Sequence, residues 1–85
     1  MPTRPDTRRR IAALYSRVLG VPDVAEHDDF FLLGGSSLTA IALLDAIEAD
    51  LRVRLPVGDF YQGTSVAELA RTVDTHRTRA PQRSL

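Results

Sequence analysis

Apolar residues recur at helical spacing in three stretches of the chain, and turn-forming sequence separates them. In the first, Ile11, Leu14, Tyr15 and Val18 return every three or four positions, the period of a helix with one buried face. Asp6 or Thr7 stands where a cap would accept the free N–H groups of the first turn. Gly20 suits the left-handed residue that ends a helix, and Pro22 prevents its resumption. Arg8, Arg9 and Arg10 fall in the first turn, against the helix dipole, and are expected on a solvated face.

The second stretch runs from about Ser37 to Leu51. At 100° per residue, Ala40, Leu43, Leu44, Ile47 and Leu51 share an arc of about 100°, the width of a buried face. Ser37, Ile41, Asp45, Glu48 and Arg52 share another, charged or polar except for Ile41. Ile41 lies one turn beyond Ser37 and Leu38 flanks it, so a small apolar spot beside a serine is expected at the start of this helix. The third stretch opens with Ser65-Val66-Ala67-Glu68, the pattern of a capping box, and continues with Val66, Leu69, Ala70 and Val73 to an end near His76 or Arg77.

Between the periodic stretches, Val21 to about Ser36 reads as a long loop pinned to the helices by Phe30, Phe31, Leu32 and Leu33. Arg54-Leu55-Pro56-Val57 reads as an extended connection, and residues 57–62 as a short turn whose Phe60 and Tyr61 pack inward. No strand-like alternation appears. The expected fold is all-α, a bundle of three long helices and one short helix around a single core.

With 85 residues the chain is expected to form one domain with a modest core. Its 44% hydrophobic and 26% charged composition is that of a soluble globular protein. Residues 1–6 and 78–85 are expected to be tails around a domain at 7–77. No apolar run is long enough for a membrane span or a signal peptide, so a cytoplasmic protein with no membrane partner is expected. The initiating Met and short tails suggest a freestanding protein, and a monomer is expected. Eleven basic residues balance eleven acidic ones, which removes the electrostatic pull of a non-specific nucleic-acid binder. All the basic residues are Arg, so lysine chemistry is unavailable, and the absence of Cys excludes disulfides and thiolate nucleophiles.

Enzyme constellations fit poorly. Ser36 or Ser37 could in principle join His27 or His76, but Leu38 stands where a nucleophile elbow needs its second glycine. Asp28 and Asp29 are adjacent rather than facing, and both histidines are expected at the surface. A minimal serine hydrolase and a small helical interaction domain using Arg8 to Arg10 are therefore the weaker readings. What stands out is Leu33-Gly34-Gly35-Ser36-Ser37-Leu38, a glycine turn that delivers a serine to a helix start, where free N–H groups and the positive dipole end favour a phosphate ester. Alone, Ser37 could equally be the helix cap.

The wider pattern resembles a known family. Asp29-Phe30-Phe31-x-Leu33-Gly34-Gly35-x-Ser37-Leu38-x-Ala40, then Phe60, then Ser65-Val66-x-x-Leu69-Ala70, is similar to the peptidyl carrier proteins, the thiolation domains of nonribosomal peptide synthetases, within the acyl carrier protein superfamily. The resemblance covers about residues 7–77 and implies a four-helix carrier bundle that performs no catalysis itself. It implies that Ser37 carries covalent 4′-phosphopantetheine, donated by coenzyme A through a phosphopantetheinyl transferase, and that the thiol arm holds an aminoacyl or acyl group as a thioester. It also implies an adenylating or acyl-loading enzyme upstream and a condensing, tailoring or releasing enzyme downstream, in a secondary-metabolite pathway. Family members dock partners beside the serine, which marks Ser36, Leu38 and Ile41 as docking residues. Ser36 stands where relatives often carry His, Asp or Asn. An acyl carrier of a polyketide or specialised lipid pathway is the alternative; such carriers more usually have Asp before the serine and a more acidic recognition helix, whereas this helix has only Asp45, Glu48 and Asp50.

Overall fold

The computed structural model describes residues 4–79, so most of the expected tails lie outside the described residues. Four helices follow in order: α1 (Pro5–Leu19), α2 (Ser37–Leu51), α3 (Val57–Tyr61) and α4 (Val66–Arg79). Helix α1 packs against both α2 and α4, and α3 rests on α4. The only extended pairing among the described residues is a single bridge between Asp29 and Ser65.

The start of α1 differs from the expected cap. The helix begins at Pro5, whose fixed φ suits a first position, and Arg4 occupies the cap without a side-chain bond. Asp6 lies within the first turn, while Thr7 is buried and donates its hydroxyl to Asp74 Oδ1 at 2.8 Å. The Arg4 N–H donates to Asp74 Oδ2 at 2.9 Å. A carboxylate from α4 thus does the work assigned to a local cap, and satisfies a polar group that would be costly to bury alone. At the other end Gly20 adopts φ 68° and returns its N–H to Ser16 O, as expected of a glycine stop.

Of the arginine triple, Arg9 and Arg10 are exposed, as expected, and Arg8 is half-buried; Arg8 reaches Glu26 in the loop at 3.1 Å and Arg10 reaches Asp50 at the end of α2 at 3.3 Å. The N-terminal turn of α1 is thereby tied to the elements on either side of it.

Ile11, Leu14 and Tyr15 of α1 meet Ala40, Leu43, Ile47 and Leu51 of α2 and Val66, Leu69, Ala70 and Val73 of α4 in one core. Leu44, on the same arc of α2, is half-buried at its margin. Phe30 and Phe60 fill the middle, with ring centroids 5.6 Å apart and edge to face. After α2, Arg52 takes the left-handed cap position at φ 60°, and the following segment turns Val53 and Leu55 inward on either side of exposed Arg54.

Two inward assignments do not hold. Leu32 is 88% exposed, because the turn over residues 29–34 is closed by backbone bonds that direct it outward. Tyr61 is 49% exposed: the five residues of α3 bury a single side chain, Phe60, and the next residue, 100° round the helix, lies on the surface against Phe31.

Candidate functional site

The turn that leads into α2 is held from beneath. Asp29 Oδ2 accepts the N–H groups of Phe31 at 3.0 Å and Leu32 at 3.2 Å, and its Oδ1 accepts the hydroxyl of Thr64. Thr64 O in turn accepts the Phe30 N–H at 3.0 Å and the Tyr15 hydroxyl at 2.6 Å. Burial, and secondarily the carboxylates of Asp29 and Glu68, push the Tyr15 phenol far above its ordinary range, so it remains a donor. The loop is therefore fastened to α1 and to the approach to α4 through one small polar hub.

Phe30 lies flush under the turn. Gly35 returns its N–H to Phe30 O at 3.0 Å, and a Cβ at Gly35 would come within 2.4 Å of the Phe30 ring. Gly34 adopts φ 104°, a conformation that L side chains rarely take. Each glycine of the pair is thus required for its own reason, one by contact and one by backbone angle.

Ser36, rather than Ser37, caps α2. Its backbone is extended, its Oγ accepts the Thr39 N–H at 3.4 Å, and its own N–H donates to Thr39 Oγ1 at 2.7 Å. Thr39 plays the part that Glu or Gln takes in the commoner form of this box, so Ser-x-x-Thr was the available signal in the sequence. Ser37 becomes the first helical residue, exposed, with no hydrogen bond to its hydroxyl among the described residues. No acidic residue lies in the first turn of α2, so the positive end of the helix dipole is left without a local counter-charge.

The expected apolar neighbours sit beside it. Leu38 is 79% and Ile41 55% exposed, and Val57 and Tyr61 of α3 are further exposed apolar side chains. A groove of about 310 Å³ is lined by Ile41, Leu44, Leu55 and Val57 with Asp45, Glu48 and Arg54. Arg54 closes on Glu48 at 3.2 Å. Ser36, expected among the docking residues, has its hydroxyl engaged in the cap.

Neither histidine bonds a serine. His27 lies 3.5 Å from Glu26, and His76, expected as a plain surface residue, meets Asp59 at 2.7 Å across the junction of α3 and α4. Among the described residues no group of acidic, His or Cys side chains could hold a metal ion, and no helix is long and apolar enough to cross a membrane.

Residues 9–73 match the family described as "Phosphopantetheine attachment site". The chain is 44% identical over 62 residues to tyrocidine synthase 3 of Brevibacillus parabrevis, a match covering 73% of this chain and 1% of that protein. It likewise spans 5% of surfactin synthase subunit 3 of Bacillus subtilis, to which it is 36% identical over 67 residues covering 79% of this chain, so it corresponds to a small part of these relatives. Among solved structures it is similar to the solution structure of a prototype peptidyl carrier domain of modular peptide synthetases, with 31% identity and a TM-score of 0.73 over 87% of this chain and 96% of that one. It is also similar to a chain in the complex of the phosphopantetheine transferase Sfp with coenzyme A and a peptidyl carrier protein, at 28% identity and a TM-score of 0.80, covering 88% of this chain and 97% of that one.

Proposed function

The chain belongs to the phosphopantetheine-attachment family, among the peptidyl carrier proteins, and from that premise we propose that Ser37 Oγ is the attachment point. The observation that carries the assignment is the division of labour between the two serines: Ser36 holds the cap, and Ser37 is left exposed with an unengaged hydroxyl. The residues fit a phosphodiester. The first-turn N–H groups of Ser37 and Leu38 have no intrahelical acceptor, and the uncompensated helix start favours an anion. When bound, 4′-phosphopantetheine supplies a thiol that holds an aminoacyl or acyl group as a thioester.

In this reading Ser37 supplies the oxygen that a phosphopantetheinyl transferase esterifies from coenzyme A, and the protein acts in the cytoplasm alongside that donor. The protein itself catalyses nothing in this reading, in keeping with the lack of a hydrogen bond between either imidazole and the Ser37 hydroxyl, the contact a general base would make: His27 meets Glu26 and His76 meets Asp59. Leu38 and Ile41 offer an adenylating enzyme, and then a condensing, tailoring or releasing enzyme, apolar contacts next to the arm. Such a surface discriminates by shape more than by charge, in keeping with the chain's zero net charge.

Intact-mass spectrometry after incubation with coenzyme A and a promiscuous transferase tests the assignment. Wild type and Ser36→Ala should each gain one phosphopantetheine, and Ser37→Ala none. No gain in wild type, or a gain abolished only by Ser36→Ala, would overturn it.

A further inference from the structure

A threonine hydroxyl has one proton to donate and two lone pairs with which to accept. Thr39, half-buried at the third position of α2, spends all of them on one residue. Its Oγ1 accepts the Ser36 N–H at 2.7 Å and donates its proton to Ser36 O at 3.0 Å. The Ser36 hydroxyl lies 3.3 Å from the same oxygen, and because the Thr39 proton is already given to the carbonyl, Ser36 is the donor in that third contact. Branching at Cβ restricts the side chain to few rotamers, which keeps the hydroxyl within reach of all three partners.

Ser36 matters for what it is joined to. Its carbonyl and the Ser37 N–H belong to one planar peptide, so a bond that fixes the carbonyl also fixes the plane from which Ser37 departs. That carbonyl accepts the Ala40 N–H at 2.8 Å as well, and one residue upstream the Gly35 N–H is held by Phe30 O at 3.0 Å. The backbone is thus fastened on both sides of Ser36, while no described residue bonds the Ser37 hydroxyl. The box on α4 supplies the contrast. Glu68 Oε1 accepts the Ser65 N–H at 3.2 Å and the Ser65 hydroxyl at 3.0 Å. A carboxylate has no proton to give, so among the described residues Ser65 O receives the Leu69 N–H alone. A hydroxyl at this position holds both backbone groups of the cap, and a carboxylate holds one.

We propose that Thr39 is a positioning residue for the modification of Ser37: by clamping the N–H and the carbonyl of Ser36, its hydroxyl sets the heading of the Ser37 Cα–Cβ bond. Transfer requires Ser37 Oγ to approach the pantetheine-bearing phosphorus in line with the bond that breaks, as the adenine nucleotide departs and the serine proton passes to the transferase. An oxygen carried on a fixed backbone meets that requirement more often than one on a loose helix start. The kinetic consequence rests on the proposed function, whereas the clamp on Ser36 does not.

Steady-state kinetics of a promiscuous transferase, with coenzyme A and the unmodified protein as substrates, test the role. Thr39→Val keeps the branched shape and removes the hydroxyl, and kcat should fall roughly three- to tenfold. KM for the protein should stay near that of wild type, because the exposed side chains of Leu38 and Ile41 are untouched. Thr39→Ser restores the hydroxyl and should recover most of the lost kcat. Ser36→Ala loses the side-chain half of the box but keeps both backbone groups, so it should slow transfer less than Thr39→Val does. Ser65→Ala, the matching cap loss on α4, should leave kcat unchanged, which separates placement from general destabilisation. Hydrogen exchange reads the clamp directly: the Ser36 amide should exchange about fivefold faster in Thr39→Val and at the wild-type rate in Ser65→Ala. An unchanged kcat or an unchanged Ser36 amide in Thr39→Val, a loss confined to KM, or an equal loss in Ser65→Ala would each sink the proposal. A wild type that gains no phosphopantetheine at Ser37 overturns the attachment reading and this role with it, an outcome distinct from a modified wild type matched by an equally fast Thr39→Val.

Discussion

Helices α2 and α4 start in the same way and present opposite surfaces. Each opens with a serine whose hydroxyl accepts the N–H three residues on and whose own N–H is accepted by that third residue's side chain, Thr39 in one case and Glu68 in the other. The residue after the cap then diverges. On α4 it is Val66, fully buried, and on α2 it is Ser37, exposed and flanked by exposed Leu38. The electrostatics diverge too: Glu68 answers the dipole of α4, whereas α2 has no acidic residue in its first turn. A capping box therefore does not distinguish a structural helix start from a functional one. The difference lies in what the next residue faces and in whether the helix dipole has been answered locally.

The comparison can be broken from beneath. Phe30→Ala removes the ring that supports the turn before α2 and fills the centre of the core, and it should cost about 3–5 kcal/mol in denaturant unfolding. A smaller test separates the two serine roles. Ser36→Ala and Ser65→Ala should each destabilise by about 1 kcal/mol through loss of a cap, while Ser37→Ala should stay within about 0.5 kcal/mol of wild type. If Ser37→Ala proved the costliest of the three, the roles of Ser36 and Ser37 would be reversed. The smallest effect sharpens the electrostatic half. Thr39→Glu gives α2 the same box as α4 and should raise stability by a few tenths of a kcal/mol. Its carboxylate would also compete with the phosphate, so modification by a transferase should slow by about two- to fivefold.

The sequence made the helices legible because a helix repeats its buried face: every residue placed inward on α1 and α4 by spacing is buried or half-buried, and Gly20 and the Ser65 box sit where their chemistry demands. What it did not disclose is non-local or depends on a backbone angle. The partner of Thr7 is Asp74, and no periodicity connects positions that far apart. That Ser36 and not Ser37 caps α2 is decided by the extended backbone at Ser36, which two adjacent serines do not reveal. Leu32 and Tyr61 are apolar residues in segments too short to carry a period, so hydrophobicity alone gave them the wrong side. The Asp59–His76 contact depends on how a short helix settles against α4, which neither residue signals by itself.

The hub at Asp29 and Thr64 has a consequence for how such chains can vary in length. Ser37 is positioned by bonds running from the turn to Tyr15 and to the approach to α4, and not by the path of residues 21–25 that precede it. An inserted or deleted residue near Pro22 or Asp23, both exposed, would change the outline of the loop. The register is set again at Glu26 and Asp28, whose carbonyls accept the Ala67 and Val66 N–H groups, and locked at Asp29. Length variation introduced upstream is thus absorbed before it reaches the serine, and the height of Ser37 above the bundle is preserved.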